Sequence, residues 1–325
     1  MDVHATDDPA VAARALADGH LAALPTETVY GLGARADRPR AIARVYAAKG
    51  RPADHPLIVH VLDADALAAW GTGIRDYVPA LAAAFWPGPL TLVVRRTGRA
   101  GDFVTGGQDT VAVRVPAHPL MRSVLQQLGE LVGDPAVGVA APSANRFGRV
   151  SPTTADHVRA ELGGVLGPDD VLLEGGASAV GLESTIVDCT GATPAMLRPG
   201  RVTADDVRRV TGLDVLASSA VRAPGTLASH YSPAARVRLV DAAGLALEAA
   251  GQGDASTGVL ALAAVPTPDG LVRLSAPADA SDYGRVLYAA LREADALALT
   301  TVLAVPPAPG GMGDAVIDRL TRAAT

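Results

Sequence analysis

The chain has 325 residues, 49% of them hydrophobic, and a formal charge of −6. That is enough apolar material for two domains with real cores, and it excludes a disordered tail. Aromatics at 3% exclude a stacking platform for single-stranded nucleic acid, and neither half of the chain is basic enough for a nucleic-acid module.

In chain order, Asp7 or Asp8 can cap a first helix, with Pro9 in its first turn and Gly19 ending it. A short strand over Leu21 to Leu24 runs into PTETVYGLG, which reads as a polar turn. A helix from about Pro39 to Ala48 delivers Lys49 at its C-terminal end, and Leu57 to Val61 is a strand covered on both faces. Leu90 to Arg95 and Thr110 to Val115 are strands joined through Gly106 and Gly107. Pro119 to Leu128 is a helix, and Val137 to Ala140 is a strand that empties into APSAN. Ser151-Pro152-Thr153-Thr154 reads as a helix start with Ser151 as the cap. Val171 to Leu173, Ser184 to Asp188 and Ala195 to Leu197 are further strands. Ala217 to Pro233 is small, polar and turn-rich, which marks a linker. A second βα pattern follows, with strands at Val237 to Val240, Val259 to Leu262 and Thr301 to Val305. A helix spans Asp282 to Ala296, and another follows Gly310, Gly311 and Gly313. Helices and strands alternate, so the class is α/β.

Lys49 is the only lysine, against 27 arginines. An ammonium is a compact point charge that presses on one phosphate oxygen, whereas a guanidinium is a planar fork. Lys49-Gly50-Arg51-Pro52 sets two cations on a stiff loop, which suits a polyphosphate. His60 ends the next strand. Arg114, inside the apolar run VAVRVP, needs an anion: an internal carboxylate or that of a substrate. Ser143 and Asn145 follow a strand end, as does Ser184 in GLEST, and Arg198 adds a cation. The pocket so described takes a polyanion and a small polar molecule. There is no GxxxxGK[ST], no complete dinucleotide fingerprint and no zinc-type spacing. Cys189, the one cysteine, sits in an apolar run and reads as a buried structural thiol. The N-terminus has no apolar leader and no stretch is long enough to span a bilayer, so the expectation is a soluble cytoplasmic protein without membrane contact.

These residues occur in an order that resembles the YrdC-like threonylcarbamoyl-AMP synthases: PTETVYGLG, KGRPADHPLIVH, WPGPLTLV, VAVRVP, APSAN, SPTT, GLESTIVD and LRPG. His-Tyr-Ser-Pro in the linker and the terminal GMGDAVIDRLTRAA resemble the longer, two-domain branch. The resemblance implies a twisted open sheet as catalytic domain over residues 1–213, a linker or lid over 214–235, and a smaller Rossmann-like α/β domain over 236–325. It implies that L-threonine, bicarbonate and ATP, with Mg2+, give threonylcarbamoyl-AMP and pyrophosphate. A downstream tRNA threonylcarbamoyl transferase would use the adenylate beside the anticodon; tRNA need not bind this chain. By the same resemblance, Thr28, His60, Arg114, Ala141 and Ser184 line the threonine site. Lys49, Arg51, His55, Thr110, Ser143, Ser151, Arg198 and Tyr231 hold ATP, with Lys49 and Arg51 catalytic. Two departures stand out. The linker has Thr226-Leu227-Ala228-Ser229 where the family carries basic and aromatic residues, and His55 stands where asparagine is frequent. A direct tRNA-binding module and a carbamoyl-transfer domain acting on another protein are the alternatives. Charge and aromatic poverty oppose the first, and the second lacks the zinc-finger or acylphosphatase-like partner domains it usually carries.

Overall fold

Short apolar runs separated by helices build one large mixed sheet in the first half of the chain. The computed structural model describes residues 3–225, 231–252 and 256–325. The chain divides into two compact units. The first comprises Met1–Phe147, Pro152–Ala179 and Glu183–Thr226; the second comprises Gly148–Ser151, Val180–Leu182 and Leu227–Thr325.

The strands of the first unit are β1 (His4–Thr6), β2 (Ala22–Leu24), β3 (Gly31–Arg35), β4 (Ile58–His60), β5 (Gly71–Thr72), β6 (Leu90–Arg96), β7 (Thr110–Arg114), β8 (Val139–Ala140), β9 (Val171–Leu173), β10 (Thr185–Asp188) and β11 (Ala195–Arg198). Their order is β1-β9-β2-β3-β8-β4-β7-β6-β10-β11, with β5 paired to β6. Strand residues alternate sides, and here the two sides differ in use. Val59, Leu92, Val94, Val111 and Val113 face the main core with Trp70. Each such buried side chain stabilises the fold by roughly 1.5–3 kcal/mol. Ile58, Val93, Ala112 and Ile186 face the other way and form a small apolar floor of their own.

Two readings of the sequence change here. PTETVYGLG is no mere turn, since Gly31–Arg35 continues as a fully buried strand. Gly33 is required there, because a Cβ would come within 2.9 Å of the Leu24 and Val139 side chains. Ser151 is not a helix cap. Thr154 caps the helix Ala155–Leu162, its hydroxyl accepting from His157 N–H. The reason is that neighbours take the preceding carbonyls: Pro152 O accepts from Tyr30 N–H (2.8 Å) and Thr153 O from Ser178 N–H (2.9 Å). The chain therefore stays extended for three residues more. Cys189 is buried, and burial pushes its thiol up, which keeps it unreactive.

The second unit holds a parallel sheet of β12 (Arg236–Leu239), β13 (Thr257–Leu260), β14 (Val272–Ser275) and β15 (Thr301–Ala304), in the order β12-β15-β13-β14. Its helices span Ala242–Gln252, Ala280–Ala296 and Met312–Ala323. No described helix is long and apolar enough to cross a membrane.

Candidate active site

The first unit gathers polar groups at two places, the first of them on the face that carries the apolar floor. At one, β4 and β7 run parallel and place His60 beside Arg114. Arg114 is 3% exposed. Its Nη2 donates to Glu27 Oε1 (2.5 Å), its Nη1 to Thr28 Oγ1 (2.9 Å) and its Nε to the Gly88 carbonyl (3.2 Å). The second Glu27 oxygen accepts from Ala117 N–H at 3.0 Å. Thr26 locks this loop, with its hydroxyl 2.8 Å from Thr28 Oγ1 and donating to the Val29 carbonyl at 2.6 Å. So of the two anions the sequence allowed for Arg114, an internal carboxylate is present. Burial works to raise the Glu27 carboxyl, but the Arg114 charge and hydrogen bond outweigh it and hold Glu27 below the usual carboxylate range.

One strand further, Ser184 precedes β10, and its hydroxyl lies 2.7 Å from Thr91 Oγ1 of β6. Arg198 donates from Nε to the Ser184 carbonyl (3.0 Å) and from Nη2 to its hydroxyl (3.2 Å). Its Nη1 donates to the Pro224 carbonyl at 3.0 Å. Arg198 thus joins Ser184 and Thr91.

At the second place, the helix Pro39–Lys49 ends in Gly50, which adopts a left-handed conformation (φ 62°) and turns the chain toward Arg51. Lys49 is 3% exposed, and its ammonium donates to the carbonyls of Ser143 and Asn145. Two of three N–H groups are used, leaving one for a ligand. Burial and the Arg51 charge hold its pKa well below the ordinary lysine value. Arg51 donates to the Pro56 carbonyl (3.0 Å) and lies 5.9 Å from the Phe147 ring centre. His55 meets the same ring edge-on at 5.4 Å. Ala141 N–H bonds the Ile58 carbonyl (3.1 Å), which ties the APSAN loop to the start of β4. Thr110 opens β7 and shares the face of Ala112 and Arg114.

Lys49, Arg51, His55 and Ser143 therefore come together, as do Thr28, His60, Arg114, Ser184 and Arg198. Ser151 and Tyr231 belong to the second unit. There Ser151 is fully buried, and Arg292 donates to the Val150 carbonyl beside it. Tyr231 (φ 66°, 1% exposed) stacks on Tyr288 at 5.5 Å, with Arg319 at 5.5 Å from its ring centre. Thr226 to Ser229 and His230 lie outside the described residues.

Three features escaped the sequence reading. Glu27 and Thr91 stand inside quoted motifs but were not picked out as site residues. The third is residues 221–224, read as linker. Val221 and Ala223 pack on the apolar floor with Leu197. Arg222 N–H donates to Gln108 Oε1 (2.8 Å), and Arg222 Nη2 to the Gly106 carbonyl (2.8 Å). The segment is a strap fastened by Gln108 at one end and Arg198 at the other. The alternation of Val221 and Ala223 around Arg222 was the available signal.

His60 is 3% exposed, and its Nδ1 has no hydrogen-bond partner. Burial and the Arg114 charge lower its pKa to about 3. The unfolded chain titrates near pH 6.5, so between these values it binds one more proton than the folded protein. His60 thus withdraws stability as pH falls below about 6.5, by ~1.4 kcal/mol per pH unit, and costs nothing above it. Denaturation at pH 7 and pH 5 should show a smaller loss in His60→Gln than in the wild-type chain. Equal losses would remove His60 as the source.

A family model described as Telomere recombination, covering Sua5, YciO and YrdC proteins, matches residues 14–200. The chain belongs to the Sua5–YciO–YrdC family. A second model, described as Threonylcarbamoyl-AMP synthase, C-terminal domain, matches residues 202–325 and marks the two-domain Sua5 type. The chain is 34% identical over 339 residues to a threonylcarbamoyl-AMP synthase of Bacillus subtilis, covering 99% of this chain and 95% of that one. It is 41% identical over 239 residues to the Pyrococcus abyssi threonylcarbamoyl-AMP synthase, covering 71% and 67%. The crystal structure of P. abyssi Sua5 complexed with L-threonine superimposes with a TM-score of 0.85 at 34% identity, covering 100% of this chain and 98% of that one.

Proposed function

We propose that the chain is an L-threonylcarbamoyladenylate synthase, consuming L-threonine, bicarbonate and ATP and releasing pyrophosphate. The adenylate then serves a tRNA threonylcarbamoyl transferase that modifies the adenosine next to the anticodon, in the cytoplasm. The observation that carries this is the pair of polar clusters within the first unit. One is built around a buried ammonium with a spare N–H, the other around a buried guanidinium.

The threonine amine adds to the carbon of CO2 drawn from bicarbonate and loses a proton, giving a carbamate. A carbamate oxygen then attacks the α-phosphorus, and the bond to pyrophosphate breaks. The nucleophile belongs to the substrate, so the protein needs to align anions and neutralise developing charge rather than supply a covalent group. We assign Lys49 and Arg51 to the phosphates, with His55, Thr110, Ser143 and Arg198 in the wider ATP set. Thr28, His60, Arg114, Ala141 and Ser184 take L-threonine. Arg198 bonds Ser184 directly, which favours a place for it where the two substrates meet.

Magnesium, in this reading, arrives on the nucleotide. Among the described residues no three His, Cys, Asp or Glu side chains gather to hold an ion, which fits a metal bound chiefly by phosphate oxygens and water. When bound it would neutralise charge on the leaving pyrophosphate.

The test is ATP-dependent pyrophosphate release assayed with each amino acid in turn, with and without bicarbonate. Release confined to L-threonine plus bicarbonate is expected. Release with another amino acid alone, or without bicarbonate, would overturn the reading.

A further inference from the structure

Lys49 carries the only side-chain amine of the chain, and its surroundings fix the direction in which that nitrogen can react. The side chain is buried. Its tetrahedral nitrogen spends one direction on the bond to Cε and two on N–H groups donated to the Ser143 and Asn145 carbonyls. One direction remains. In the ammonium it holds the spare N–H that serves a phosphate oxygen. The neutral amine has only two N–H groups, and the same two carbonyls can take both. The remaining direction then holds the lone pair. The donor that grips a nucleotide is therefore already aimed as a nucleophile.

Which form is present depends on the charges around it. Burial disfavours the ammonium, Arg51 disfavours it further and Glu161 favours it; the balance holds the pKa well below the ordinary lysine value. A bound polyphosphate favours the ammonium. Pyrophosphate then departs with most of the nucleotide's negative charge and leaves a mixed anhydride. The carbonyl carbon of that anhydride is joined through a single oxygen to the α-phosphorus. Lys49 thus loses much of its anionic company at the step that places an acylating agent in the site.

We propose that Lys49 is a self-modification site, where Nζ attacks the carbamoyl carbon of threonylcarbamoyl-AMP that stays bound. A C–N bond forms and the C–O bond to the phosphate breaks. AMP leaves with the electrons of that bond, and the proton lost by the nitrogen leaves on its phosphate. Lys49 ends as an uncharged urea that cannot serve another nucleotide. This rests on the proposed threonine chemistry and adds a regulation to it: the chain shuts itself off when no later reaction removes its product.

The experiment is intact-mass spectrometry of the wild-type chain during turnover of ATP, L-threonine and carbon-labelled bicarbonate, with no tRNA or transferase present. One adduct of the mass of a threonylcarbamoyl group, carrying the bicarbonate label, is expected, and pyrophosphate release should decay as it accumulates. Trypsin should fail to cut after Lys49 in the modified fraction. Below its pKa the neutral amine increases about tenfold per pH unit, so modification per turnover should rise at least about threefold from pH 7 to pH 8. Sustained pyrophosphate release with Lys49 unmodified overturns the inference alone. An adduct with the mass of AMP, or labelling confined to the α-amino terminus, overturns it as well. A wild-type chain that releases no pyrophosphate overturns the threonine reading beneath it.

Discussion

Lys49→Ala is expected to abolish ATP-dependent pyrophosphate release, lowering kcat by about a thousandfold or more. The magnitude follows from the role. Removing one preorganised donor from a developing oxyanion costs on the order of 10²–10³ in rate, and Lys49 supplies a full charge in a buried place. Lys49→Arg should not rescue. The pocket closes on a point donor with the Ser143 and Asn145 carbonyls, and a planar fork cannot keep both while reaching a phosphate. Measured release within tenfold of the wild-type rate in Lys49→Ala would remove the lysine from the chemistry.

Arg114→Ala should raise the threonine KM by about a hundredfold while leaving the ATP KM within about threefold. Losing a bidentate charged contact and leaving its partner buried and unpaired is worth roughly 2–5 kcal/mol, and each 1.4 kcal/mol is tenfold in affinity. The same change strands Glu27, so the melting temperature should fall as well. Arg114→Ala combined with Glu27→Gln should recover part of that stability without recovering threonine binding. Were the ATP KM to move more than the threonine KM, Arg114 would belong to the nucleotide instead.

Much of this site was legible in the sequence because its signals are local. A lone lysine among arginines, an arginine inside an apolar strand and hydroxyls at strand ends each have a physical reason that needs no partner. What could not be read was pairing. The sequence left Arg114 with two candidate anions, and only the approach of the Glu27 loop to the end of β7 decides which one is present in the fold. Arg198 shows the same limit. The antiparallel pairing of β10 with β11 delivers it to Ser184, a partner that no local motif names. The error at Ser151 has a different origin. Hydroxyl-proline is a good helix start locally, but distant backbone donors hold the next carbonyls extended. Val221 to Pro224 resembled a linker because small and polar residues serve both a loose tether and a strap laid flat on a sheet.

That strap changes the arithmetic of ligand entry. Its valine and alanine already keep the middle of the floor dry, so an incoming molecule that reaches Ile58, Val93, Ala112 and Ile186 exchanges places with peptide rather than with water. Apolar burial normally announces itself through a negative heat-capacity change on binding. Here much of that surface is sequestered beforehand, and the calorimetric signature of occupancy should be muted relative to the contact area gained, with affinity reporting the difference between two rival coverings of one patch.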